Sequence, residues 1–197
     1  EWYGTGAENL GLEGPVNRDT FVAVQEGQLP DGTDMRRMEG GVNKHRPGYD
    51  LTFSAPKSAS VLALVTGDTF LVDAHKEAVR RTLDEVEKLA TTRTMTDGIT
   101  EMEKTGNLVI ATFMHDTSRN LEPQMHTHAV VANATLSQNG WKTLSTDISG
   151  KRGFTDVVWN EQVSIGALYR GHYRSIIEPA GYQTEDTGPR GEWDITG

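Results

Sequence analysis

Three of the six histidines in this chain stand close together in the sequence: His115, His126 and His128. Neutral imidazole nitrogens are good ligands for divalent metals. Three of them make a facial set that leaves coordination positions open for water or a substrate oxygen, as a catalytic metal requires. His126 and His128 are two apart. In a strand such residues point the same way, with Cα atoms roughly 6.5–7 Å apart. His115 closes the preceding apolar run, and a hairpin through residues 116–124 returns His126 beside it. Val130 continues the histidine side, while Thr127, Ala129 and Val131 face the other way. Both sides are fairly apolar, so the strand is expected in the middle of a covered sheet. A histidine ligand needs a partner that fixes its tautomer, and Asp50, on the polar side of its own strand, is the candidate acid. The plain alternative is a set of strand histidines bonded to backbone or solvent, and His-triad hydrolases and cupin-like barrels also use the H-x-H spacing.

The elements that must position these residues follow from periodicity. Asn17 caps a short helix from about Arg18 to Gln25, and residues 27–47, rich in Gly, Pro, Asp and Arg, read as loop. Tyr49 to Ser54 alternates, with Tyr49, Leu51 and Phe53 on one face and Asp50, Thr52 and Ser54 on the other. A short helix covers Lys57 to Val65. A stronger one follows Asp68 or Thr69 and carries Leu71, Ala74, Ala78, Val79, Leu83 and Val86 at helical spacing. Strands are expected at Thr91–Met95, Ile99–Lys104, Leu108–His115 and His126–Thr135, with Leu108–His115 central in the sheet. Asn139-Gly140 reads as a hairpin turn into Trp141–Leu144. A helix spans about Asn160 to Ile177, and a terminal hairpin Tyr182 to Ile195. Strands outnumber helices and cluster as hairpins, which is an α+β class with an antiparallel sheet.

Composition narrows the chemistry. The 197 residues carry 19 Lys+Arg against 28 Asp+Glu, a net charge of −9, and no cysteine. Disulfides, thiolate metal sites and cysteine nucleophiles are excluded, and a reducing, cytoplasmic setting fits. No apolar run approaches the roughly 20 residues of a membrane helix, so membrane insertion is not expected. The acidic balance is awkward for nucleic-acid binding, which draws its affinity from Lys and Arg. Any such role must rest on local clusters: Arg36, Arg37, Lys44, His45, Arg46 and Lys57, then Lys142, Lys151 and Arg152. Trp2, Trp141 and Trp159 are possible stacking platforms for bases. The start at Glu1 and the polar end at Gly197 read as cuts in a longer polypeptide.

Beyond types and spacing, the wording becomes specific. His115-Asp116-Thr117-Ser118-Arg119 and Glu122-Pro123-Gln124-Met125-His126-Thr127-His128-Ala129-Val130-Val131-Ala132-Asn133 resemble the metal-site motif of conjugative relaxases. The similarity is greatest to the relaxase–helicase branch of F-like and related plasmids (the MobF family, in the HUH endonuclease superfamily). His45-Arg46-Pro47-Gly48-Tyr49-Asp50-Leu51-Thr52-Phe53-Ser54-Ala55-Pro56-Lys57-Ser58 resembles a second signature of that family, and Gly6-Ala7-Glu8-Asn9-Leu10-Gly11-Leu12 is similar too. The likeness spans essentially the whole chain.

This resemblance implies one relaxase domain over residues 1–197, with about five antiparallel strands, helices packed on one face and a circularly permuted rolling-circle-initiator topology. It implies site- and strand-specific nicking and rejoining of origin-of-transfer DNA in conjugation, through a 5′-phosphotyrosyl intermediate. His115, His126 and His128 would hold one divalent ion, with Mg, Mn or Zn all compatible, beside Asp50 as the acid that orients a histidine or accepts the tyrosine proton. Arg46, Lys57, Arg119, Gln162 and Arg170 would contact single-stranded or hairpin DNA, Gln162 and Arg170 by reading bases. Relaxosome accessory proteins and a coupling protein are implied partners, in the cytoplasm of a plasmid-bearing bacterium. None of Tyr3, Tyr49, Tyr169, Tyr173 or Tyr182 falls in the family's N-terminal tyrosine cluster, so the nucleophile and the downstream helicase region are expected outside these residues. A small-molecule His-triad or cupin-like metallohydrolase is the alternative. A single-strand binding module with incidental metal is a third reading.

Overall fold

The computed structural model describes residues 1–196. It begins with β1 (Trp2–Tyr3), α1 (Thr5–Asn9) and α2 (Arg18–Gln25). Asn17 caps α2 as expected: its side-chain oxygen accepts from the N–H groups of Asp19 and Thr20 at 2.9 and 3.2 Å, an arrangement that stabilises by about 1 kcal/mol. The expected loop contains a small hairpin, β2 (Met38–Glu39) with β3 (Val42–Asn43), before β4 (Gly48–Ser54). The helices α3 (Lys57–Thr66) and α4 (Thr69–Glu87) follow. Asp68 is the α4 cap, accepting from the N–H groups of Phe70 and Leu71.

A ribbon of β5 (Thr91–Thr96) and β6 (Ile99–Lys104) closes on Asp97-Gly98, both at positive φ. That is the requirement of a two-residue turn matching the strand twist. Next come β7 (Ile110–Thr117), β8 (Pro123–Ala132), and the pair β9 (Thr135–Ser137) and β10 (Gly140–Lys142). The turn residues of this last hairpin are Gln138 and Asn139, one position earlier than the sequence suggested. Gly140, at φ 94°, opens the returning strand opposite Ser137. The chain ends with α5 (Phe154–Asn160), which periodicity missed, then α6 (Gln162–Ile177), a 3-10 turn over Glu178–Ala180, β11 (Thr184–Asp186) and β12 (Trp193–Ile195).

Four strands form the main sheet, in the order β1-β7-β8-β4, and β7 is an inner strand as its composition predicted. β1 pairs antiparallel with β7. The Ala55 N–H donates to Met125 O, and the Asn133 N–H to Pro47 O; these pairings run in opposite directions, so β4 and β8 are antiparallel too. The remaining strands make separate two-stranded ribbons.

The chain divides into two compact units. The first comprises Glu1–Leu51, Val86–Thr112 and Ala129–Trp159. Its core holds Val24, Leu108, Val109, Ile110, Ala111, Val131 and Phe154. There the Glu87 carboxylate accepts from the N–H groups of Thr5 (2.7 Å) and Leu108 (2.8 Å), so a carboxylate that helical spacing would call surface instead ties α1 to the strand entry. The second unit comprises Thr52–Glu85, Phe113–His128 and residues from Asn160 onward. In it Leu71, Ala74, Ala78 and Leu83 of α4 and Ile165, Tyr169, Tyr173 and Ile177 of α6 are buried. Each large apolar side chain so buried contributes about 1.5–3 kcal/mol. Phe53 meets Tyr169 and Tyr173 meets Trp193, each with ring centroids 5.5 Å apart.

The faces of β8 differ more than the sequence suggested. Met125, Thr127, Ala129 and Val131 are buried, whereas Gln124, His126, His128 and Val130 are only half-buried. The strand is therefore covered on one side, with its histidine side partly open, and not covered on both.

Candidate metal centre

Among the described residues, the group that could hold a metal ion is His115, His126 and His128, whose ligand nitrogens all lie within 4.8 Å of one another. The three rings form a near-equilateral set, with centroids 5.2, 5.4 and 5.3 Å apart. The β7–β8 hairpin makes this possible. Its turn is closed by the Ser118 N–H donating to Glu122 O at 2.9 Å, and Ser118 Oγ accepts from the N–H groups of Asn120 and Glu122. Leu121 at the tip has φ 60° and is 82% exposed, a left-handed conformation that a leucine adopts only where its surroundings impose it.

The hydrogen bonds show which ring nitrogens of His126 and His128 are already engaged. His126 Nδ1 lies 3.0 Å from Gln124 O. A carbonyl only accepts, so Nδ1 carries the proton and Nε2 keeps its lone pair. His128 Nδ1 lies 3.2 Å from Thr52 Oγ1 on β4, and the Nε2–metal arrangement requires the tautomer in which that hydroxyl accepts. An all-nitrogen donor set, two of whose rings are engaged through Nδ1, suits a divalent cation with open positions. Sequence reasoning looked to Asp50 for this support. Thr52 was visible on the same polar face, but only the cross-strand pairing brings it to His128. Asp50 itself sits two residues earlier on β4, exposed on that face.

Behind β8 lies a second histidine that sequence reasoning passed over. His75 on α4 is fully buried, its Nδ1 2.6 Å from the Tyr169 hydroxyl and its Nε2 2.8 Å from Thr127 Oγ1. Burial above all, then His126 and Lys76, brings its pKa down to about 3, so the ring is neutral. The available signal was its place within the apolar stripe of α4, between Ala74 and Ala78.

The other expected residues fall as follows. Arg46, Lys57, Arg119 and Gln162 are exposed. Lys57 Nζ pairs with Glu122 Oε2 and donates to Pro123 O, both at 3.1 Å, which braces the hairpin and offsets part of its charge. Arg170 is half-buried and donates to the carbonyls of Gly191 (3.2 Å) and Arg190, so part of its donor fork holds the terminal hairpin. Tyr169 and Tyr173 are buried, with the hydroxyl of Tyr173 donating to Leu71 O, and burial raises the pKa of both. The Tyr182 hydroxyl donates to Asp68, which pushes it up to about 12. Tyr49 accepts from Thr155 Oγ1 at 3.0 Å. Of the tryptophans, Trp2 is core at 8% exposure, Trp141 is half-buried with its Nε1 donating to Asp31, and Trp159 is 72% exposed. Only Trp159 keeps an open ring for stacking.

All of residues 1–197 match the family model described as TrwC relaxase. The multifunctional conjugation protein TraI of Escherichia coli K12 is 55% identical over 196 residues, and a second Escherichia coli TraI is 53% identical over the same length. The matches take in 100% of this chain but 11% of each relative. Among solved structures, the conjugative relaxase TrwC in metal-bound complex with OriT DNA superposes with a TM-score of 0.87 at 39% identity, covering 99% of this chain and 65% of that one. TrwC with a 27-mer DNA comprising the recognition hairpin and the cleavage site gives 0.88 at 39% identity, covering 99% and 67%. No helix among the described residues is long and apolar enough to cross a membrane.

Proposed function

The chain belongs to the TrwC relaxase family, and from that premise we propose that residues 1–197 form one relaxase domain that nicks and rejoins one strand of origin-of-transfer DNA in plasmid conjugation. The observation that carries this reading is the convergence of three imidazoles on the half-open face of a sheet, in a chain similar to a relaxase solved with OriT DNA. The donor set fits a divalent ion. His115, His126 and His128 would hold it, with Mg, Mn or Zn as the candidates. The chemistry such an ion supplies is electrostatic: it draws density from a non-bridging phosphate oxygen and offsets charge that develops in the transition state.

The protein's own groups do the rest. Gln124 O and Thr52 Oγ1 hold the outer nitrogens of His126 and His128, so the ring planes need not reorganise as substrate arrives. A tyrosine oxygen attacks the scissile phosphorus, the bond to O3′ breaks, and O3′ leaves with a proton as a free hydroxyl. One phosphodiester replaces another, so the step can run backwards to rejoin the strand. Asp50 is the acid that orients a histidine or accepts the tyrosine proton. Tyr169, Tyr173 and Tyr182 are hydrogen-bonded and held protonated, which disfavours them as nucleophiles. Arg119, on the exposed turn after His115, and Arg46 and Lys57 meet backbone phosphates. Gln162 and Arg170 read bases, through donors and acceptors that make bidentate contacts. The setting is the bacterial cytoplasm, with relaxosome accessory proteins and a coupling protein as partners.

The test joins this chain to a tyrosine-bearing segment and incubates it with a single-stranded origin oligonucleotide, with and without chelator. A covalent protein–DNA adduct that needs divalent ion is expected. No adduct with any divalent ion overturns the proposal.

A further inference from the structure

β8 carries two of the three clustered histidines, and the residue between them points the opposite way. Along the buried side of this strand run Met125, Thr127, Ala129 and Val131, so Thr127 is the polar side chain in that row. Its hydroxyl is 4% exposed and meets His75 Nε2 at 2.8 Å. The other nitrogen of His75 meets the Tyr169 hydroxyl at 2.6 Å. Three elements, α4, α6 and β8, are thus joined through one imidazole. A neutral imidazole offers one donor and one acceptor, so it serves two hydroxyls only when one accepts and the other donates.

We infer that His75, with Tyr169, is a positioning residue for the metal site, clamping Thr127 so that His126 and His128 on either side of it are held in place to converge with His115. The inference rests on the reading of the three histidines as metal ligands. The physical reason is the two-residue period of a strand. A shift of β8 by one residue exchanges its faces, and Met125, Ala129 and Val131, being apolar, oppose such a slip only through burial. A hydroxyl with one buried partner is directional: it fixes both the register and the lateral position of the peptide units that carry the two ligands. The start of the strand is held likewise, since the buried Ser60 Oγ accepts from the Met125 N–H at 3.0 Å. Ligand sets need such rigid support, because a cluster loosened by an ångström no longer closes on one ion.

The experiment uses Co²⁺ alone as the probe, titrated into the folded chain well below its melting midpoint. Thr127→Val keeps shape and strand propensity but removes the hydroxyl. It is expected to weaken Co²⁺ binding about tenfold, the lower end of the effect of removing support around ligands. Thr127→Ser is expected to restore binding. In the metal-free protein, the ring resonances of His126 and His128 should broaden in Thr127→Val and sharpen again in Thr127→Ser. Should Thr127→Val fail to fold, Tyr169→Phe, which leaves the residues of β8 themselves unaltered, should still weaken Co²⁺ binding, and unaltered binding there overturns the inference. A folded Thr127→Val that melts earlier but binds Co²⁺ as the parent does, with unaltered ring resonances, has only a structural defect and overturns the inference alone. A parent protein that binds no more Co²⁺ than His126→Ala overturns the metal reading itself, and the inference with it.

Discussion

His75 and the clustered histidines share a side chain and differ in nearly everything around it. His75 has both nitrogens engaged, no exposure, and a pKa brought down to about 3. His126 and His128 are half-buried, each engaged through Nδ1, which leaves Nε2 for a ligand, and His115 is exposed. One strand thus separates a ring used as a fixed polar strut from rings that keep a lone pair for a ligand. The difference teaches that histidine function here is assigned by which nitrogens the fold has already satisfied.

Removing the open side should give the largest effect. His126→Ala combined with His128→Ala is expected to weaken metal binding at least about 100-fold, since one imidazole cannot replace a facial set; calorimetric titration of the folded variant reads it. Retained affinity would erase the contrast between the two faces.

The buried side should show itself in pH. In the unfolded chain an imidazole takes its proton near 6.5, whereas His75 in the fold resists protonation down to about 3. Between those values the unfolded state binds the extra proton, so the contribution is complete above about pH 6.5 and is lost as pH falls toward 3. The slope is at most about 1.4 kcal/mol per pH unit. Urea unfolding between pH 6.5 and 5 should show this loss in the parent and a flatter profile in His75→Gln.

Smaller effects sharpen the comparison. Thr52→Val removes the partner of His128 Nδ1 and should weaken metal binding by about tenfold or less, with little change in the melting midpoint because the site is exposed. Arg119→Ala should weaken binding of a single-stranded origin oligonucleotide by about 1 kcal/mol and lower the salt slope by about one ion or less. Anisotropy titrations at several salt concentrations read both, and an unchanged slope would remove Arg119 from the phosphate contacts.

Much of this was legible in the residues. Asn17 and Asp68 announced two helix starts because a short polar side chain before an apolar stripe has one natural task, accepting from unpartnered N–H groups. The alternation of β4 and the H-x-H spacing of β8 gave the facing of Asp50, Thr52, His126 and His128, since a strand has a fixed period. The helix α5 escaped because Phe154–Asn160 is too short for a clear period, and the β9–β10 turn was misplaced by one residue because a glycine at positive φ marks either the turn or the residue after it. Lys57 and Arg170 looked like open cations. Their partners, Glu122 and the carbonyls of Arg190 and Gly191, lie 65, 20 and 21 residues away and leave no local trace.

The sequence alone determined which side chains share a face, where the helices begin, and that a cysteine-free chain must build any metal site from imidazole and carboxylate, because these follow from backbone periods and side-chain chemistry. Only the tertiary structure decided that Thr52 meets His128, that His75 sits behind Thr127, and that the histidine face stays partly open. Those depend on how strands and helices distant in sequence pair and pack, and packing is set by the whole chain at once.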